Sequence, residues 1–387
     1  MGHRQLDDFN STPNLWPTAQ QRLLLTAALA DDQVAIDAFH AWRAGIDLDD
    51  NLDRGSFRLL PLLFHNLHRL GVRDPLMGRL RGIYRLAWYE NHALFHATKP
   101  VVAALEENGI ATLLVKGVPL SFLYYGNHAL RPMADIDIVV RRNDARRALA
   151  LLDRFGWRDN IPPSDADFEF RHALGLLGPK KLELDLHWHL LYEANDDAAD
   201  EFFWSAAQPF DFAGVASRTL NPTDALMHVI IHGVRWNAEP PTRWVVDALA
   251  IMRANHGVLD WKRMLSFARH WRLTHRLGLG LAYLTEHHAA PVPLSVLREF
   301  HTARPSVVER IENSVILRNT DRIFDHVVGK QWVIFAEYCR KTTASGPIDF
   351  VVGLSHYIRY RWGLRGRREI IPIIVGGLKR HLLARRS

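Results

Sequence analysis

The sequence predicts an α+β fold in which a small mixed sheet lies between an N-terminal and a C-terminal helical region. Residues 17 to about 108, and the chain from Asn221 onward, space their apolar residues three and four apart, as amphipathic helices do. Between them, short runs rich in branched residues alternate with helical segments. We therefore expect three regions: residues 1–109, 110–215 and 216–387.

The N-terminal region is predicted to begin with a helix signal at Pro17-Thr18, directly before the apolar run AQQRLLLTAALA. Its last segment, LMGRLRGIYRLAWYENHALFHATKPVVAALEENG, reads as one long helix that Gly109 ends. Pro100 is the one residue in that segment expected to interrupt it.

The middle region is predicted to alternate strands and helices. IATLLVK is a short strand, and the pair Lys116-Gly117 then opens a helix over VPLSFLYYG. DIDIVVR is a second strand, and NDARRALALLDRFGW is a helix that Gly156 ends. FEFRHALGLL and KLELDLHWHL flank Gly178, which predicts a hairpin of two alternating strands.

The C-terminal region reads as a series of helices that proline pairs separate. His228 and His232 lie one helical turn apart, but no Glu follows the first His, so the zinc-protease helix is absent. We interpret both as packed residues or as residues that line a site. Arg243 and Asp247 are also one turn apart, which predicts an ion pair within one helix.

Composition indicates a globular protein: 48% of the 387 residues are hydrophobic. Cys339 is the single cysteine, so an internal disulfide and a cysteine metal site are both excluded. No signal-peptide pattern and no apolar run of membrane-spanning length occurs. We expect a cytoplasmic protein, either soluble or peripheral to a membrane.

Positive charge is concentrated at the end of the chain. Residues 356–387 hold nine Lys and Arg against one Glu, so they carry +8 while the whole chain carries +6. A solvated basic helix, a peripheral membrane contact and a polyanion contact all fit this segment. No dedicated nucleic-acid motif accompanies it.

Two aspartates stand out in the second predicted strand. Alternation in DIDIVV places Asp135 and Asp137 on one face and Ile136, Ile138 and Val140 on the other. Two carboxylates on one face are costly unless a cation compensates them. Mg²⁺ is a natural candidate, because it takes oxygen ligands and leaves positions open for phosphate.

A later strand, KLELDLHWHL, presents four polar side chains on one face: Glu183, Asp185, His187 and His189. Carboxylates from neighbouring strands suit two-metal phosphoryl transfer. The His-x-His pair leaves open a metal site of hydrolase type. The alternative is that His187 orients Asp185 or meets the substrate.

The pair Lys116-Gly117 adds a candidate phosphate site. A glycine where a strand turns into a helix lets backbone N–H groups approach a triphosphate, and a lysine adds a cation. On its own, a Lys-Gly pair also fits a solvated lysine.

The ordered series LLVKG, LRPMADIDIVV, RRALALLDRFGW and LELDLHWHL resembles the DNA polymerase beta-like nucleotidyltransferase superfamily. It is similar above all to an uncharacterised bacterial branch, which has Lys-Gly where better-known members have Gly-Ser. The resemblance covers residues 110–191. It implies a nucleotidyltransferase core, two Mg²⁺ ions and transfer of a nucleoside monophosphate from an NTP such as ATP to an unidentified small-molecule or protein acceptor.

The resemblance also implies roles for individual residues. Asp135 and Asp137 would bind both metal ions, and Asp185 would be the third catalytic carboxylate, with Glu183 as its competitor for that role. The implied nucleotide-binding residues are Lys116, Gly117, Ser121 and Arg131.

One departure from the family pattern concerns the residue after Gly117. No serine follows this glycine, and the nearest one is Ser121, a helical turn later. A hydroxyl that normally helps to hold the β- or γ-phosphate is therefore missing. This motivates an alternative function, a non-catalytic nucleotide-sensing or scaffolding protein of the same fold.

Overall fold

A computed structural model of the chain describes residues 15–305, apart from residues 47, 49–51, 236 and 238, together with residues 346–364. It also describes residues 309, 310, 313, 335, 338, 339 and 366. The architecture is the predicted α+β fold, with a mixed sheet and helices on both of its faces.

The N-terminal helices are α1 (Ala19–Leu29), α2 (Asp32–Ala44), α3 (Arg54–Phe57), α4 (Leu60–Arg69) and α5 (Met77–Glu107). The predicted start at Thr18 is confirmed. Its hydroxyl accepts from the backbone N–H of Gln21, and the Gln21 side chain accepts from the Thr18 N–H, which is a capping box.

Helix α5 runs through Pro100 without a break, so the expected interruption is wrong. A proline removes one backbone donor from a helix, but packing of the flanking turns can hold the helix together. Val101, Val102 and Leu105, just beyond the proline, are all buried. The predicted end is confirmed, because Gly109 adopts a φ of +70°, a conformation that favours glycine.

The sheet contains β1 (Thr112–Val115), β2 (Asp135–Val140), β3 (Ala173–Leu177), β4 (Glu183–His187), β5 (Gln208–Phe212) and β6 (Val215–Thr219). Its spatial order is β3-β4-β2-β1-β6-β5. The β1–β2, β3–β4 and β5–β6 pairs are antiparallel, whereas β2–β4 and β1–β6 are parallel. Strands β2 and β4 therefore lie side by side at the centre of the sheet.

The connecting helices are α6 (Gly117–Tyr124), α7 (Ala145–Arg154), α8 (Asp165–Phe170) and α9 (Asp197–Trp204). The predicted hairpin around Gly178 is confirmed by the pairing of β3 with β4. Its first strand begins later than expected. Phe168–Phe170 belong to α8, because Ser164 and Asp167 form a capping box that starts a helical turn there.

The C-terminal helices are α10 (Pro222–Gly233), α11 (Arg243–Ala254), α12 (Trp261–His270), α13 (Thr274–His288), α14 (Leu294–Thr302) and α15 (Pro347–Trp362). Strand β6 ends four residues beyond the predicted limit of the middle region at residue 215. None of the helices in the described part of the chain combines the length and apolar content that crossing a membrane requires.

The two faces of β2 pack against different helices, as alternation predicts. Ile136, Ile138 and Val140 join a core with residues of α5 and α7. Val139, on the face of the two aspartates, joins a larger core with residues of α10–α13. Asp135 and Asp137 therefore face the C-terminal helices.

The basic segment 356–387 is described only as far as residue 364 and at residue 366. Tyr357 is buried against Phe170 at the end of α8, and the Tyr360 hydroxyl donates to Asp167 at 2.8 Å. The start of this segment thus packs against α8. The rest of the predicted basic tail, apart from residue 366, lies outside the described residues.

Candidate active site

Three of the predicted site residues meet at the centre of the sheet. The parallel register of β2 and β4 sets Asp137 directly beside Asp185, and Asp135 beside Glu183. Oxygen atoms of Asp137 and Asp185 and a ring nitrogen of His187 all lie within 4.8 Å of one another. The pattern of alternation thus brings two carboxylates and an imidazole together on one face.

Asp137 is buried and ionised. His187 Nε2 donates to its Oδ1 at 3.0 Å, and the Lys116 ammonium donates to the same oxygen. Burial alone would raise the pKa of Asp137, but the Lys116 charge and the hydrogen bond from His187 outweigh burial and hold this pKa well below its usual range.

Asp185 has the opposite electrostatic character. Burial raises its pKa, and the negative charges of Asp137 and Asp135 raise it further. Gly175 lies beside it in β3, where a Cβ would come within 3.2 Å of Asp185 Oδ1. Within the described residues, no side chain donates a hydrogen bond to this carboxylate, so its oxygens remain available to a ligand.

The donor set at this point fits a divalent cation. Two carboxylates in register supply the oxygen ligands that Mg²⁺ prefers, and Asp135 adds a third on the same strand face. Placing two carboxylates so close is costly without positive charge between them, and Asp185 lacks a cationic partner of its own among the described ion pairs.

The Lys116-Gly117 pair lies at the junction of β1 and α6, as predicted. Lys116 has a φ of +53° and turns its side chain onto Asp137. Gly117 has a packing reason to be glycine, because a Cβ there would lie 2.6 Å from Met133 Sδ and 3.2 Å from Arg131 Nη1.

Arg131, predicted to bind nucleotide, is held in a buried ion pair with Asp247 of α11. Its Nε and Nη2 donate to the two Asp247 oxygens at 2.8 and 2.9 Å, and Tyr125 Oη donates to Oδ1 at 2.6 Å. The ion pair expected between Arg243 and Asp247 is therefore replaced by one that joins the sheet region to α11. Arg243 instead donates to the backbone oxygen of Pro132 at 2.8 Å.

Two other predicted residues lie outside the cluster of Asp137, Asp185 and His187. Ser121 is fully buried, and its hydroxyl lies 3.0 Å from His128 Nδ1. It lines none of the described cavities at the carboxylates, so the structure gives no support to Ser121 as a phosphate ligand. Glu183 is exposed at the start of β4, two residues before Asp185.

The predicted His-x-His pair does not form. Strand β4 ends at His187, and the backbone N–H groups of Trp188 and His189 both donate to the His172 oxygen. His189 Nδ1 lies 2.5 Å from Asp200 Oδ2 instead, away from Asp137. His187 is thus the histidine of the pair that reaches the carboxylates.

A first cavity of about 320 Å³ opens between the sheet and the helices. Asp135 and Asp137 form its acidic side, with Lys116 and Gly117 beside them. Cationic side chains from all three regions line the remainder: Arg54 and Arg58 from the N-terminal region, Arg131 from the sheet region, and Arg235 and Arg243 from the C-terminal region. Sequence reasoning missed Arg54, Arg58 and Arg235 because nothing local distinguishes them from ordinary surface arginines.

A second cavity of about 290 Å³ adjoins the first. His172, His187, Tyr192, Glu193 and Ile231 line it, and it shares four residues with the first cavity: Lys116, His228, His232 and Arg235. His228 and His232, interpreted from the sequence as packed residues or as residues that line a site, both line the two cavities. Burial, followed by the Lys116 charge, lowers the pKa of His228 to about 3, so this imidazole is neutral.

Two comparisons with known proteins gave a match, one with a protein family and one with a solved structure. The model of a family described as uncharacterised nucleotidyltransferase matches residues 56–288, well over half of the chain. Among solved structures, the chain is similar to an antigenic nucleotidyltransferase-like protein from Paracoccidioides brasiliensis, at 14% identity and a TM-score of 0.34, over 53% of this chain and 92% of that one. No curated protein matches it.

Proposed function

The chain belongs to the uncharacterised nucleotidyltransferase family, and from that premise we propose that it transfers a nucleoside monophosphate from an NTP to a hydroxyl acceptor. The observation that carries the proposal is the pair Asp137 and Asp185, set in register on parallel strands beside an arginine-lined cavity. We propose further that the core is of the DNA polymerase beta-like type and that the cation is Mg²⁺.

In this proposal, Asp135, Asp137 and Asp185 would hold the cations. Bound there, two Mg²⁺ ions would acidify the acceptor hydroxyl and neutralise charge on the leaving pyrophosphate. The acceptor oxygen forms a bond to the α-phosphorus, the bond from the α-phosphorus to the bridging oxygen breaks, and pyrophosphate leaves. In this proposal the hydroxyl proton passes to the carboxylate of Asp185, the neighbour of Asp137 in the strand register, and then to water.

The first cavity is the proposed nucleotide site. A triphosphate carries several negative charges, and Arg58, Arg235 and Arg243 line the cavity opposite the carboxylates. These guanidinium groups compensate for the hydroxyl that is missing after Gly117. Lys116 would bind phosphate only after its ammonium leaves Asp137, which a cation bound at that carboxylate favours.

A second candidate function follows from the same contact. Because Lys116 already neutralises Asp137, the protein can keep this site folded without metal, as a non-catalytic nucleotide sensor or scaffold would. Calorimetric titration with each NTP, with and without Mg²⁺, separates the transferase from a scaffold, and pyrophosphate release separates it from a sensor that binds nucleotide without turnover. The transferase requires Mg²⁺-dependent nucleotide binding, whereas a scaffold that no longer handles nucleotides shows no such heat.

The activity itself is tested by incubating the full chain with labelled NTPs, Mg²⁺ and a cell lysate, followed by mass spectrometry. We expect nucleotidylated small molecules or proteins that are absent when Asp137→Asn replaces the native protein. Products formed equally by both proteins contradict the proposed carboxylate site. A cytoplasmic location and a polyanion contact through residues 356–387 are separate proposals. A membrane contact through the same residues is tested by liposome flotation of the chain with and without them, and equal flotation contradicts it.

A further inference from the structure

The second cavity lies beside the carboxylates, in a position that suits an acceptor. His187 lines it and also donates to Asp137 at 3.0 Å, and Lys116 belongs to both cavities. A molecule in the second cavity is thus next to the carboxylates while the first cavity remains free for a nucleotide.

The charges around the second cavity do not cancel. Lys116 is paired with Asp137, and Glu193 accepts a hydrogen bond from the guanidinium of Arg276, which is buried. Arg235 forms no ion pair with a carboxylate in the part of the chain that the structure describes, although the charge of Glu193 acts on it from beyond ion-pair distance. It lies beside His232 instead, with 3.4 Å between Arg235 Nη2 and His232 Nε2. One positive charge is therefore available to a ligand.

The remaining polar groups of this cavity are suited to hydroxyl groups. A neutral imidazole offers one N–H donor and one acceptor nitrogen, and His228 is neutral because it is buried. His172 and Tyr192 lie together on the same wall, with ring centroids 5.5 Å apart. About 290 Å³ is a volume that suits a small molecule and not a polymer.

We infer that the second cavity binds the acceptor, and that the acceptor is a small hydroxyl compound with one anionic group, a phosphate or a carboxylate, placed at Arg235. The inference rests on the nucleotidyl transfer proposed above. Polyamine acceptors are disfavoured, because an ammonium group beside the guanidinium of Arg235 would be repelled.

Binding of matched sugars to the native full chain, in the absence of NTP, tests the inference by calorimetry. Glucose 6-phosphate and glucuronate carry an anionic group at the same position, glucose lacks one, and spermidine is the polycation. We expect one or both anionic sugars to bind roughly tenfold or more tightly than glucose, and spermidine not to bind. Which anionic sugar binds distinguishes a phosphate from a carboxylate ligand. The inference is overturned if glucose binds as tightly as the anionic sugars, if spermidine binds, or if neither anionic sugar binds.

Variants localise the effect. Arg235→Gln should reduce anionic-sugar binding roughly tenfold, whereas Arg154→Gln, an exposed arginine on α7 that lines neither cavity, should not change it. Arg58→Gln, which alters only the first cavity, should weaken nucleotide binding and leave sugar binding intact. An unchanged anion preference in Arg235→Gln contradicts the inference. If that variant misfolds, Tyr192→Glu, which adds a negative charge to the second cavity alone, should remove the same preference.

Pyrophosphate release with ATP and Mg²⁺ separates the two proposals. Anion-selective binding without pyrophosphate release in the presence of the sugar refutes the transferase and retains the anionic site. If pyrophosphate is released equally well with neutral, cationic and anionic acceptors, the transferase is retained and the inference of an anionic acceptor is refuted.

Discussion

The two walls of the first cavity carry opposite charges and were assembled in different ways. The sheet wall supplies Asp135 and Asp137 from a single strand, and the helical wall supplies Arg58, Arg235 and Arg243 from segments far apart in the chain. The carboxylates of the sheet wall could be predicted from the sequence, because side chains of a strand alternate between its two faces. The helical wall depends on tertiary packing, so the sequence indicated the pair of carboxylates and did not indicate the arginines that share the cavity with them.

The largest effect should come from the sheet wall. Asp137→Asn removes a carboxylate that the proposed cation needs, and nucleotidyl transfer should fall at least roughly a thousandfold. Steady-state pyrophosphate release measures it. Asp165→Asn, at an exposed aspartate of another Asp-x-Asp pair on α8, should leave the rate unchanged. Loss of activity in both variants, or in neither, contradicts the assignment of the sheet wall.

The next effect concerns the contact that joins the walls. Asp247→Asn leaves Arg131 buried without a charged partner, since the two side chains are only 3% and 5% exposed, and should cost about 3 kcal/mol of unfolding free energy. Urea denaturation measures it. The exposed pair of Arg146 and Asp165 serves as the control, because breaking it should cost less than about 1 kcal/mol. Equal costs for the two pairs would show that the Arg131 contact does not hold the walls together.

A smaller effect should appear as a pH dependence of the helical wall. His228 has a folded-state pKa of about 3 and an ordinary value of 6.5, so the unfolded chain binds its proton first as pH falls. Its contribution to stability is complete above pH 6.5 and is lost as pH falls toward 3, about 2 kcal/mol of it by pH 5. His228→Gln should therefore flatten the difference in unfolding free energy between pH 7 and pH 5. An undiminished difference in the variant assigns the acid sensitivity to other groups.

The smallest effect should come from single arginines of the helical wall, because several guanidinium groups would bind the triphosphate together. Arg243→Gln should weaken nucleotide binding roughly tenfold, as loss of one charge-assisted hydrogen bond does. Calorimetric titration with ATP and Mg²⁺ measures it, and Arg154→Gln provides the matched exposed control. If nucleotide binding is the same in both variants, the triphosphate does not lie against Arg243.

Several structural features were predictable because they depend on nearby residues. The alternation in DIDIVV, the end of α5 at Gly109 and the hairpin around Gly178 all appear in the structure as expected. The start of α8 was missed because its capping box overrides the strand-like sequence that follows. Pro100 was misjudged because buried contacts on either side sustain the helix.

The candidate site divides in the same way. Alternation predicts which side chains share a face within each strand, and the parallel register of β2 and β4 then brings Asp137, Asp185 and His187 together. Alternation misassigned His189, because β4 ends at His187, two residues before it. It could not reveal that Arg131 pairs with Asp247, because those residues are 116 positions apart and only the packing of α11 brings them together.

The Arg131–Asp247 pair has a consequence for how such a protein can change during evolution. Arg131 lies just before the strand that bears Asp135 and Asp137, so the geometry of the acidic strand is anchored in a helix of another region. A lineage that exchanged the C-terminal helices for unrelated ones would leave the buried guanidinium of Arg131 without its partner close to the strand that carries Asp135 and Asp137. Sheet and helices should therefore be inherited as one unit, and new acceptor preferences should arise by substitution within the cavities, not by recombination of modules.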